Sequence, residues 1–196
     1  MSDPAQDELD RQDMARLAAG KDAALNDLME RHGQKLFHYL VRQLGNESDA
    51  EDCAQEAFAR VYLNRAKFRP DSKFTTWLYT IVTNLSRDCH RRHARHPEMA
   101  LPENEDGSGG LEAMPDKARP PGEQLQREEL AAAVRVAVQA LPDELREPLV
   151  LYEYEELGQA EIGEILHCTA KAVELRIYRA RKSLRETLAG LMGEVG

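Results

Sequence analysis

The chain has 196 residues and a formal net charge of −9; 42% of its residues are hydrophobic, 31% charged and only 6% aromatic. That length suits one compact domain or two small ones, and no run of about 18 apolar residues is present to cross a bilayer. The acidic opening MSDPAQDELDRQD lacks the apolar stretch of a secretory signal, and Cys53, Cys89 and Cys168 are too few and too scattered for a disulfide framework, so a cytoplasmic location is expected.

In chain order, residues 1–13 read as an acidic tail, followed by helices at 14–19 and 24–44 that break near Gly20 and end at Gly45. Across 49–63 the apolar set Ala54, Ala57, Phe58, Val61 and Tyr62 recurs at helical spacing, with Ser48 or Asp49 as the cap. Asp52, Gln55, Glu56 and Arg60 point away from that stripe. Residues 74–95 form a fourth helix with Trp77, Leu78, Ile81, Val82, Leu85 and Cys89 inward, ended by Pro97. Residues 97–123 carry five of the nine prolines, a Gly107-Ser108-Gly109-Gly110 run and no apolar period, which predicts a flexible acidic linker. Helices are predicted again at 124–141, 144–157, 159–166 and 170–188, with 191–196 as a tail. The fold class is all-α, with two small helical domains at 14–96 and 124–190.

The acidic average hides two basic islands. Residues 65–96 hold 8 bases against Asp71 and Asp88, and residues 171–185 hold 6 bases against Glu174. Each island falls in its own domain, which predicts two separate anionic contacts. In the second domain, Ile162, Ile165 and Leu166 face inward, a short turn His167-Cys168-Thr169 follows, and Val173, Ile177, Ala180 and Leu184 line the next helix. The opposite face presents Lys171, Leu175, Tyr178, Arg179 and Lys182, with Arg176 and Arg181 flanking. That is the helix-turn-helix arrangement, in which the second helix enters a major groove. A helical hairpin with a merely solvated basic face is the competing reading.

In the first domain Thr80, Asn84, Arg87 and Arg91 share one strip, suited to base-edge hydrogen bonds and phosphate contacts. Phe68, Phe74 and Tyr79 lie beside the basic loop, where aromatic rings could stack single-stranded bases. Core packing is the alternative for Phe74 and Trp77.

Taken together, DAEDCAQEAFARVYLN, FTTWLYTIVTNLSRD and QAEIGEILHCTAKAVELRIYRARKSL resemble a bacterial RNA polymerase sigma factor of the sigma-70 family, in its extracytoplasmic-function group. The resemblance spans residues 20–96 and 125–189. It implies that 14–96 is region 2 and that Asp49, Asp52, Gln55, Glu56 and Arg60 bind the clamp helices of the polymerase largest subunit. Phe68, Asp71, Ser72, Lys73 and Phe74 match the part that captures a flipped −10 base, and Asn84, Arg87 and Arg91 the adjoining DNA-contacting strip, which Thr80 joins by its position. Residues 124–190 match region 4, which meets the polymerase flap and reads the −35 element. There the implied contacts are Lys171, Glu174, Leu175, Arg176, Tyr178, Arg179 and Lys182. The linker resembles the connector threaded through the RNA exit path, and an anti-sigma factor is an implied partner. The match departs from the common pattern at Glu174, where arginine is frequent, and at Leu175, where a small polar residue is. Glutamate can accept from cytosine N4 and leucine can pack on a thymine methyl, so a less common −35 sequence is expected.

No phosphate-cradling loop, nucleophile elbow or acid–base cluster appears, so no catalytic residue and no cofactor are expected. Cys89, His93 and His96 share a helical face, but a structural metal site needs a fourth ligand, which Cys53 or Cys168 would have to bring from elsewhere. A packed cysteine with histidines at a basic helix end is the favoured reading there, with no metal. Two other functional classes compete with promoter recognition on the polymerase: a stand-alone helix-turn-helix regulator of duplex DNA, and a protein-binding adaptor.

Overall fold

The computed structural model describes residues 4–95 and 121–193, with side chains for 4–95 and 129–189. His96 and nearly all of the expected linker lie outside the described residues. Among those described, all regular structure is helical: α1 (Pro4–Ala18), α2 (Ala23–Leu44), α3 (Glu47–Leu63), a 3₁₀ turn (Arg65–Lys67), α4 (Phe74–Arg95), α5 (Pro121–Gln139), α6 (Asp143–Glu153), α7 (Gln159–Leu166) and α8 (Ala170–Gly193). No helix of the described residues is long and apolar enough to cross a membrane.

The first domain packs α2 against α1, α3 and α4. Leu28, Leu36, Tyr39 and Leu40 of α2 meet Ala57, Phe58 and Val61 of α3 and Phe74, Leu78 and Val82 of α4, all buried. Gly45 ends α2 in the left-handed region at φ 73°, a conformation glycine adopts without a Cβ penalty. Asn46, rather than Ser48 or Asp49, caps α3, its side-chain oxygen accepting from the Asp49 amide at 3.0 Å. The expected acidic tail is helical from Pro4. Its Asp10 and Asp13 are buried against α2, where Arg31 donates to both and His32 Nε2 sits 2.9 Å from Asp10. A buried carboxylate is tolerated only when so paired.

In the second domain α8 packs on α5, α6 and α7 through Val173, Ile177 and Ala180. Gly158 starts α7 and its N–H donates to Glu161 at 2.9 Å; His167 ends α7 at φ 54°. A Cβ on Gly163 would lie 2.7 Å from the Cys168 carbonyl oxygen, so the glycine is needed for the turn's own backbone to fold back. Gly163→Ala gains up to about 1 kcal/mol of helix propensity but forces that backbone apart at about 1–3 kcal/mol. The clash wins. We expect a lower thermal midpoint, by about 2–6 °C for a chain of this size, and an unchanged midpoint would show that the turn relaxes freely.

The two domains do not sit apart as independent beads; α4 packs on α7, and α2 packs on α5 and α6. The Gln139 side-chain amide, at the end of α5, donates to the Val41 and Arg42 carbonyls at the end of α2. Arg42 in turn lies over the Tyr154 ring, 4.2 Å from its centroid.

Candidate nucleic-acid and polymerase interface

Three surfaces carry the expected site residues. On α3, Asp52, Gln55 and Glu56 are exposed, and Arg60 donates to Glu56 at 2.8 Å. Asp49 behaves differently. Its carboxylate turns inward to His93 on α4, at 3.5 Å, and is not part of the outward polar face.

The second surface is the loop between the 3₁₀ turn and α4, together with the exposed side of α4. Asp71 is exposed and Ser72 and Lys73 are partly so, whereas Phe74 is fully buried among His32, Phe68 and Trp77. The expected base contact by Phe74 is therefore corrected: its ring anchors the start of α4. Tyr79 is likewise enclosed, edge-on to Tyr39, with its hydroxyl donating to Glu155 at 2.5 Å. Burial pushes its phenol well above the ordinary range, with the nearby Glu155 carboxylate adding to the effect. Phe68 stays half-buried, 5.4 Å from the Trp77 ring.

Asn84 is exposed, and the Thr80 hydroxyl donates back to the Thr76 carbonyl. Arg91 pairs with Asp88 on the same exposed face. Next to Asn84 a cavity of about 230 Å³ opens between α3, the 3₁₀ turn and α4, lined by Arg60, Asn64, Lys67, Trp77, Ile81 and Asn84. Its lining combines an aromatic wall with amides and two cations, of which Lys67 donates to the Asn64 side-chain oxygen at 2.8 Å and Arg60 to Glu56. Of these residues, Asn64, Lys67, Trp77 and Ile81 are missing from the sequence-based site, because the wall comes from three elements and none shows it alone.

Two basic residues of this surface are held by the second domain. Arg87 forms a bidentate pair with Glu147 of α6, at 2.7 and 2.5 Å. Lys73 donates to Glu161 of α7 at 2.6 Å, with Asp7 3.8 Å away. Both cations are held charged above their ordinary range by these carboxylate hydrogen bonds. For Glu161, burial pushes the carboxyl up, but the Lys73 and Gly158 hydrogen bonds outweigh it and leave it below the usual value.

The third surface is the outer face of α8. Leu175 and Tyr178 are large apolar side chains left 47% and 61% exposed, beside exposed Lys171, Glu174, Arg179 and Lys182. Glu174 pairs with Lys171 at 2.9 Å, and Arg181 with Glu153 at 2.5 Å. Arg176 is only partly exposed and its guanidinium reaches the Cys168 sulfur at 3.6 Å. These bare side chains lie on the second helix of a helix-turn-helix, the helix that enters the major groove in proteins of that arrangement.

Comparison with known proteins agrees with this geometry. The Sigma-70 region 2 family matches residues 28–96, and the Sigma-70, region 4 family matches residues 131–184. The chain is 36% identical over 176 residues to the ECF RNA polymerase sigma factor SigW of Bacillus subtilis, covering 88% of this chain and 92% of that one. It is 33% identical over 189 residues to the RNA polymerase sigma-H factor of Pseudomonas aeruginosa, covering 95% and 97%. Among solved structures it resembles CnrH in complex with the cytosolic domain of CnrY, at TM-score 0.68 and 30% identity, covering 93% of this chain and 98% of that one. The fold is also that of the sigma factor RpoE bound to the anti-sigma factor NepR from Bartonella quintana, at TM-score 0.61 and 18% identity, covering 83% and 97%. This chain belongs to the extracytoplasmic-function group of the sigma-70 family, the non-enzymatic factors that direct RNA polymerase to promoters.

Proposed function

We propose that the protein works in the cytoplasm, docking on core polymerase through Asp52, Gln55, Glu56 and Arg60 of α3. The outer face of α8 then reads the −35 element, while the loop 68–73 and the exposed strip of α4 hold the −10 strand. One observation carries this reading: the cavity beside Asn84, with Trp77 as its wall and Lys67 and Arg60 at its rim, sits next to the basic loop. A regulator that binds only duplex DNA has no use for a single-base pocket outside its helix-turn-helix. Asp71, Ser72 and Lys73 border the pocket's strand path, and Phe74 acts from within the core by fixing the first turn of α4.

The packed arrangement of the domains corresponds to the protein off the polymerase. Arg87 and Lys73 are occupied by Glu147 and Glu161, so DNA contact requires the domains to part. An anti-sigma factor is an expected partner, since the structural relative RpoE is held by the anti-sigma factor NepR. Run-off transcription tests the whole reading: promoter-specific transcripts are expected only with core enzyme and this protein together. Specific promoter binding by the protein alone, with no effect on the polymerase, would favour the duplex regulator.

The −35 contact carries its own test. Arg179 is exposed and is free to reach a base or phosphate, so Arg179→Ala is expected to weaken holoenzyme binding to the promoter by about 1–3 kcal/mol. Glu174→Arg is expected to change which −35 bases are selected from a random library. Identical selection by wild type and variant would remove Glu174 from the reading set.

A further inference from the structure

Asp49 and Cys53 stand one turn apart on α3, and Cys89 and His93 one turn apart on α4. That spacing puts each pair on one helix face, and the two faces meet. His93 Nε2 lies 3.9 Å from Cys89 Sγ and 3.5 Å from an Asp49 carboxylate oxygen. The donor atoms of Asp49, Cys89 and His93 all fall within 4.8 Å of one another. The buried Cys53 thiol is an electrostatic neighbour of Cys89 but lies outside that group of three. In a tetrahedral site with about 2.3 Å to sulfur and about 2.0–2.1 Å to nitrogen or oxygen, neighbouring ligands stand about 3.4–3.8 Å apart. The two His93 distances, 3.9 and 3.5 Å, are close to that.

We propose that Asp49, Cys89 and His93 form a site for a tetrahedral divalent cation of the zinc class, clamping α3 to α4, with its fourth position left to water or to the neighbouring Cys53 thiol. A sulfur, an imidazole and one carboxylate select a borderline-soft transition ion over magnesium or calcium, which take all-oxygen shells. The charges suit such an ion. A carboxylate and one thiolate carry two negative charges, which a divalent ion balances; burial pushes the Cys89 thiol up, so the ion has to displace its proton. Asp52, a charged neighbour of Cys53, adds negative potential. Both cysteines are buried, while the His93 and Asp49 side chains keep 30% and 21% exposure, which leaves a way in for the ion. Cys168 sits in the other domain beside Arg176 and takes no part. The ligand set thus differs from the one considered from sequence, with Asp49 rather than His96 beside Cys89 and His93. The site also accounts for the inward turn of Asp49.

The test uses the full chain, reduced and metal-depleted, titrated with zinc and with cobalt(II). One ion per chain is expected, with thiolate-to-cobalt charge transfer, tetrahedral ligand-field bands and a higher thermal midpoint with zinc. Cys89→Ser and His93→Ala should each weaken binding by about tenfold or more, by analogy with losses at supporting residues of metal sites, and Cys168→Ser should not. Where Cys89→Ser does not fold, His93→Ala, at a partly exposed position, carries the test. Absence of a stoichiometric ion, an octahedral cobalt spectrum without charge transfer, or equal affinity in the folded variants would overturn the proposal. So would a reduced protein that retains no ion and simply oxidises to a Cys53–Cys89 disulfide.

Discussion

Replacing Asp52 and Glu56 together by lysine is expected to abolish stable binding to core polymerase. Both side chains project from the outer face of α3, away from the Ala57, Phe58 and Val61 stripe that holds the helix to the domain. The fold loses little. Arg60 exchanges its Glu56 partner for a like charge one turn away, at a cost of a few tenths of a kcal/mol, roughly 0.2–0.5. At the interface the effect is far larger, because losing one partner of a buried charge pair costs about 2–5 kcal/mol. Two such losses amount to about three orders of magnitude in affinity even at the lower figure. Pull-down with core enzyme measures this, and unchanged capture by a variant with a native melting curve would remove α3 as the docking surface.

The second large effect concerns strand opening. Asn84 is exposed at the mouth of the cavity walled by Trp77, and its amide can both donate to and accept from a base edge. Base capture by stacking and hydrogen bonding is worth about 1–3 kcal/mol per base, so Asn84→Ala should reduce open-complex formation by about one to two orders of magnitude. Closed-complex binding should hold, because the α8 surface is untouched. Permanganate or fluorescent-base reactivity in the −10 region of holoenzyme complexes reports the difference. A bubble template opened in advance should recover part of the loss if the amide serves opening rather than reading. Normal opening by Asn84→Ala, and by the paired loop variant Asp71→Ala with Ser72→Ala, would move the strand path elsewhere.

Much of this architecture is legible in local pattern, and the exceptions share one physical cause. Helix α4 runs over the residues that its apolar period and the following proline predict, and α7 is bounded by Gly158 and by the turn at His167. These signals lie within a few residues of the feature that they specify. Helix α1 looked like a tail because nothing within 1–13 reveals what its acids bind. Asp10 and Asp13 gain their partners from Arg31 and His32, across a gap that local periodicity does not bridge. Phe74 and Tyr79 lie in an aromatic-rich basic segment, and composition alone cannot separate a ring that stacks on bases from one that seals a core. The Tyr79 ring packs on Tyr39, and its hydroxyl finds its partner in Glu155, from a different domain. The cavity residues Asn64, Lys67 and Trp77 escaped for the same reason: each looks ordinary on its own element, and only the packing of α3 on α4 makes them a wall.

The pairing of Arg87 with Glu147 and of Lys73 with Glu161 bears on how ionic strength will act. A free surface cation that meets a phosphate releases condensed counterions, about 0.9 per contact on duplex DNA and about 0.7 on a single strand. A cation that leaves an internal carboxylate to meet that phosphate uncovers a negative charge, which gathers cations of its own. Net ion release per contact then falls, and salt weakens the bound state and the domain-packed state together. On the proposed reading, DNA contacts by Arg87 and Lys73 are expected to be buffered against salt, as are those by the paired Lys171 and Arg181 of α8, whereas a contact by Arg179 keeps the full salt dependence. Promoters that lean on the −35 element are therefore expected to be the ones that a rise in salt weakens first.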